Sequence, residues 1–133
     1  MVLERTAVNP STWSLEIGYN QGEVVTGHTR TLYLAGQTAM SSEGQPLHEG
    51  DIGAQLELSL DNVEATLTEA GMTFANLIRL TIYTTDVDAL LPHFGVLGAR
   101  LGAVGAAPPM TVLEISRLVI PGQLVELEGT AVA

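Results

Sequence analysis

The chain reads as an α+β domain: a mixed β-sheet with two helices on one face, in the order β-β-α-β-α-β-β. Three observations predict this. Apolar and polar residues alternate over residues 31–35 and 77–84, as pleated strands require. Ile52, Leu56, Leu60, Val63 and Leu67 recur at steps of four, four, three and four, which places them on one stripe of a helix. Each helical stretch lies between strands, and helices so placed pack against the face of the sheet.

Taken in order, residues 1–10 form an entry strand. Residues 23–25 and 31–35 are strands around a turn at Gly27-His28, with Leu32 and Leu34 on one face and Tyr33 and Ala35 on the other. Gly36 ends the second strand, and Ser41-Ser42-Glu43-Gly44 is loop chemistry. The first helix starts after Asp51, a capping residue type, and Gly71 supplies its stop. Glu57, Asp61, Glu64 and Thr68 take its wet side. In the strand over residues 77–84, Ile78, Leu80 and Ile82 share one face, and Arg79, Thr81 and Tyr83 the other.

A second helix runs from about residue 88 to 101. Pro92 falls within its first turn or so, where backbone N–H groups have no helical acceptor. Gly95 and Gly98 each cost about 1 kcal/mol relative to Ala. They mark either a close approach of backbones or a weak helix. Residues 110–116 and 124–132 are the last two strands, joined around Pro121-Gly122.

At 133 residues the chain is a single domain, spanning 1–133, with one core. Hydrophobic residues make up 46% of it and charged residues 15%, more apolar area than so small a domain hides alone. Two helices cover only one sheet face, so the other face is expected to meet further copies of the chain, the alternative being an unusually apolar monomeric core. The net charge is −10, and the five basic residues stand apart at positions 5, 30, 79, 100 and 117. Such a surface repels phosphate backbones, which argues against nucleic-acid partners. There is no Cys, so no disulfide, zinc knuckle or thiol nucleophile arises. No apolar run approaches the roughly 18 residues of a membrane span, and no signal-peptide layout opens the chain. A soluble cytoplasmic protein without membrane contacts is expected. His28, His48 and His93 lack metal-ligand spacing, and phosphate-loop, dinucleotide and nucleophile-elbow motifs are missing.

Glu126 and Glu128 are two apart on the last strand, so both carboxylates leave the same face. They read either as an acid/base pair, enclosure raising a carboxyl's proton affinity, or as a solvated strand face. His93, beside Phe94, reads either as a candidate acid/base group or as a surface histidine at a helix start.

Four short motifs occur in order: Tyr19-Asn20-Gln21-Gly22, Ala35-Gly36-Gln37, Ser59-Leu60-Asp61-Asn62-Val63 and Val125-Glu126-Leu127-Glu128. Over residues 17–132 the chain thereby resembles the Rid (YjgF) family of small enamine/imine deaminases. The resemblance implies a chorismate-mutase-like subunit, a homotrimer with pockets between neighbouring subunits, a small-molecule substrate and no cofactor. It implies that Glu126 activates a water, that Tyr19 lines the pocket from a neighbouring subunit, and that Gly36 offers backbone groups to the ligand. It assigns no catalytic role to Glu128, and it makes Arg117 structural.

The departures are equally specific. The family's substrate-clamping arginine lies in a Pro-Ala-Arg-Ser turn. Here the stretch reads Ala107-Pro108-Pro109-Met110-Thr111-Val112, with Pro109 at the arginine position, and no arginine lies between Leu101 and Ser116. Proline cannot supply the two-pronged fork that holds a carboxylate. Phe94 stands where the family has a pocket asparagine, Thr111 at the small residue two past the arginine, and Ala35 for the usual serine. The resemblance therefore implies either a diverged imine/enamine hydrolase with an altered substrate or a non-catalytic, ligand-binding or chaperone-like trimer. Ribonuclease activity, also ascribed to some family members, conflicts with the acidic charge.

Overall fold

In the computed structural model, which describes residues 2–133, the Asp51 carboxylate accepts a hydrogen bond from the Ala54 N–H at 3.1 Å and starts helix α1 (Ile52–Glu69). Leu56, Leu60, Val63 and Leu67 of its apolar stripe are buried against the sheet. Just beyond the helix Gly71 takes a φ of 72°, a left-handed conformation that ends the helix with little strain in glycine.

The main sheet has four strands in the order β3 (Thr31–Tyr33), β6 (Val125–Val132), β4 (Leu77–Thr84) and β5 (Met110–Glu114). Only β4 and β5 run parallel, so the sheet is mixed as expected. Strands β1 (Glu4–Val8) and β2 (Gly22–Thr26) form a separate antiparallel ribbon. Arg5 ties this ribbon to the body of the domain: its guanidinium pairs with Glu23 and donates to the Leu77 carbonyl at 2.8 Å.

Two expectations need correction. The alternation in β4 breaks at Ile78, because a bulge shifts the register between Leu77 and Arg79. Leu77 is therefore fully buried, while Ile78 stands outside the core cluster. The second helix is not continuous either. It splits into α2 (Val87–Leu90), a 3₁₀ turn at Leu91–His93 holding Pro92, and α3 (Phe94–Gly102). Proline lacks the N–H that a continuous helix would use there. Cβ atoms built at Gly95, Gly98 and Gly102 meet nothing within 4 Å, so no close backbone approach within the chain explains these glycines.

The buried amide of Gln55 joins α1 to the segment that leads into β6. It donates to the carbonyls of His48 and Gly122 at 2.9 and 2.8 Å and accepts from the Leu124 N–H at 2.7 Å. Gln55→Met keeps the volume but strands these groups, at about 1–3 kcal/mol for each left unpaired. Urea denaturation should show a lower midpoint with an unchanged slope.

Candidate functional site

Strand β6 pairs with neighbours on both sides, and its side chains divide by period two. Val125, Leu127 and Ala131 enter the core, which leaves Glu126, Glu128 and Thr130 on the open face. In β4, Tyr83 lies opposite Glu126, Thr81 opposite Glu128 and Arg79 opposite Thr130. Thr111 of β5 pairs with Thr81 and so belongs to the same face, where its hydroxyl lies 3.4 Å from the Arg79 guanidinium.

The two glutamates behave differently. The Tyr83 hydroxyl donates a short hydrogen bond to Glu128. Burial, and then the charge of nearby Glu128, push the Glu126 carboxyl above its ordinary value of 4.5. A Cβ on Gly36 would overlap the Glu126 carboxylate, so a larger residue there would have to displace that carboxylate. Gly36 is held there by its neighbours: the Gln37 N–H donates to the Leu127 carbonyl at 2.7 Å, and Leu127 returns a bond at 2.9 Å. Asn62 of α1 braces the same segment through the carbonyls of Thr38 and Met40, at 3.0 and 2.9 Å.

A cavity of about 260 Å³ opens on the other side of the sheet. Ile82, Met110 and Val112 form its floor, Phe94, Leu97 and Leu101 of α3 one wall, and Ile17, Gly18 and Tyr19 another. Ile82 pairs with Leu127 and Val112, so this floor faces away from Glu126. The Asn20 N–H donates to the Ala107 carbonyl at 2.9 Å and fixes the Tyr19 loop against the entrance to β5. The Trp13 ring meets Tyr19 edge-on, with centroids 6.0 Å apart.

Of the residues singled out by sequence, Glu126 and Gly36 come together on the open face, and Tyr19 and Phe94 come together in the cavity. Thr111 shares the face of Glu126. Pro109 lines neither place, and its carbonyl accepts from the Leu80 N–H at 3.1 Å, extending the strand pairing. The cavity floor is instead Met110 and Val112, which sequence reasoning missed. Strand alternation through Thr111 was the signal that could have found them. His93 packs its ring against Gly53 of α1 and joins neither group. No cluster of three or more metal-ligating side chains occurs among the described residues, and no helix is long and apolar enough to cross a membrane.

Residues 13–133 match the family described as endoribonuclease L-PSP, to which the Rid proteins belong. The chain belongs to the Rid (YjgF) family. A Rid-family protein of unknown function from Yersinia pestis, YyfB, superposes with a TM-score of 0.85 at 30% identity, over 97% of this chain and 98% of that one. Protein DfrA of Myxococcus xanthus is 29% identical over 132 residues, 98% of each chain. The 2-iminobutanoate/2-iminopropanoate deaminase of Rattus norvegicus is 26% identical over 131 residues, 96% of this chain and 90% of its own. The fold of this Rid protein is accordingly chorismate-mutase-like.

The elevated Glu126 carboxyl carries a sign. The folded state holds this proton more tightly than the unfolded chain does. Its contribution to stability is therefore full below 4.5, the unfolded value, and is lost as pH rises through the higher folded value. A carboxyl-detected NMR titration should place the Glu126 midpoint above 4.5. Glu128→Gln should lower that midpoint only part of the way, since burial is the larger cause, and Glu126→Gln should remove this contribution to the pH dependence of stability.

Proposed function

We propose that this Rid protein hydrolyses the imine or enamine of a small metabolite, with Glu126 as catalytic base and then acid. The observation that carries this reading is the half-buried Glu126 carboxyl, held above its ordinary range beside the backbone of Gly36. A base of raised proton affinity suits the chemistry. Water gives a proton to Glu126 while its oxygen bonds to the C=N carbon and the π pair moves to nitrogen. The protonated Glu126 then returns the proton to nitrogen. Glu126 next takes the hydroxyl proton of this carbinolamine and passes it to nitrogen as the oxygen lone pair forms C=O and the C–N bond breaks, so that a carbonyl compound and ammonia leave. No cofactor is required, because the C=N carbon is already electrophilic.

The substrate differs from that of the archetype, since Pro109 replaces the carboxylate-clamping arginine. Tyr19 and the Gly36 backbone orient it, beside Phe94 and Thr111. The sheet separates Glu126 from the Tyr19 cavity within one chain, which supports a site completed by a second copy in a homotrimer. The named activity of the rat relative fits this reading. An RNA substrate fits poorly with a net charge of −10 and a paired-glutamate face.

The test uses imines generated in place by an oxidase, in competition with a semicarbazide trap. Glu126→Gln should lower imine hydrolysis by about 10²–10⁴-fold while ligand binding persists. Unchanged turnover in that variant would overturn the assignment. No turnover by the unaltered protein on any imine, with ligand binding retained, would make it a non-catalytic binder.

A further inference from the structure

We propose that the ligand of this site is an imine or its carbonyl product bearing a branched aliphatic or aromatic tail and no carboxylate. The proposal rests on the shared site described above, with Glu126 of one copy meeting the cavity of another.

The cavity walls are apolar. Ile82, Phe94, Leu97, Met110 and Val112 line it, and the Tyr19 hydroxyl belongs to its only side chain with a polar group. None of the five arginines reaches it. Arg5 is paired with Glu23, and Arg30 donates to the Ala70 carbonyl at 2.9 Å. Arg79 lies beside Thr111 on the face of the sheet that carries Glu126 and Glu128, away from the cavity. Arg100 is engaged with Asp61 at 2.7 Å and lies over the Phe74 ring, and Arg117 borders a different surface hollow.

A carboxylate entering this cavity would give up its hydration for no cation, a loss that an enclosed charge does not recover. The group it would then meet is the Glu126 and Glu128 pair, which repels an anion and attracts a protonated imine nitrogen. The uncharged cavity on one side, and on the other a face whose two glutamates outnumber Arg79, therefore select against the carboxylate. The volume, about 260 Å³, suits a tail of several carbons rather than a methyl group. Each buried CH₂ contributes about 0.8 kcal/mol.

Leucine and isoamylamine provide a matched pair, since they share one branched tail and differ by the carboxylate. An amino-acid oxidase acting on leucine and a flavin amine oxidase acting on isoamylamine release the corresponding imines, each scored against the semicarbazide trap. Binding is read separately from the emission of Trp13, the only tryptophan, whose ring touches Tyr19. The probes are 4-methyl-2-pentanone and 4-methyl-2-oxopentanoate. Gly98→Leu serves as the blocking variant. A side chain there enters open space at the cavity, and replacing a helical glycine favours folding by about 1 kcal/mol, so loss of binding would not reflect unfolding.

The expected result is saturable binding of the ketone and hydrolysis of the isoamylamine imine at least about tenfold faster than that of the leucine imine. Both should be abolished by Gly98→Leu. Preference for the oxoacid or the leucine imine would overturn the ligand class and leave the hydrolase reading standing. Ketone binding that Gly98→Leu removes, with neither imine hydrolysed, would support the ligand class and overturn the hydrolase reading. Binding of neither probe would overturn the proposal.

Discussion

Strand β6 lies between β3 and β4, so both edges of its backbone are hydrogen-bonded and its register is fixed from two sides. Its side chains alternate without exception from Val125 to Glu128: core, open, core, open. A slip of one residue would turn both glutamates under α1 and push Val125 and Leu127 out. Burying each charge unpaired costs several kcal/mol, more than a buried leucine contributes at about 1.5–3 kcal/mol. The carboxylates are therefore held on the open face by the same alternation that builds the core beneath them.

That face is prepared by groups that make no contact with the apolar cavity. Gln55 and Asn62 project from α1 and bond to backbone on both flanks of the sheet, one before β6 and one after Gly36. Buried Gln123 adds a third tie, accepting from the Ala39 N–H at 2.9 Å. These amides hold two backbone segments in the positions that bring Gly36 against Glu126. Tyr83 gives its hydrogen bond to Glu128 rather than Glu126. One carboxylate is thereby engaged by a neighbouring hydroxyl, while the other lies against Gly36.

The cavity arises from missing side chains rather than from a polar hollow. Pro92 interrupts the second helical region, and Gly98 leaves α3 without bulk where it lines the cavity. Gly18 takes a φ of 100° in the turn that presents Tyr19, where a Cβ would strain the backbone. With β5 at the edge of the sheet, the space between it and α3 is closed only by this turn. The result is an apolar recess on one face of the sheet and a carboxylate on the other.

Local pattern carried much of this into the sequence. The limits of β4, the capping of α1 by Asp51, the stripe facing the sheet and the pairing of Glu126 with Glu128 on one face all follow from periodicity and residue chemistry. Each depends on neighbours a few positions away. Tyr19 and Phe94 stood out only through motif resemblance, while Met110 and Val112, which line the same cavity, carry no motif of their own. The bulge at Ile78, the contact of Gly36 with Glu126, and the sheet that divides Glu126 from Tyr19 were decided by tertiary structure. These depend on the register between strands distant in sequence, such as Tyr83 opposite Glu126, and a one-residue change in register reverses which face a side chain joins. The sequence by itself determined which chemical groups are available; only strand pairing decided which of them share a side of the sheet.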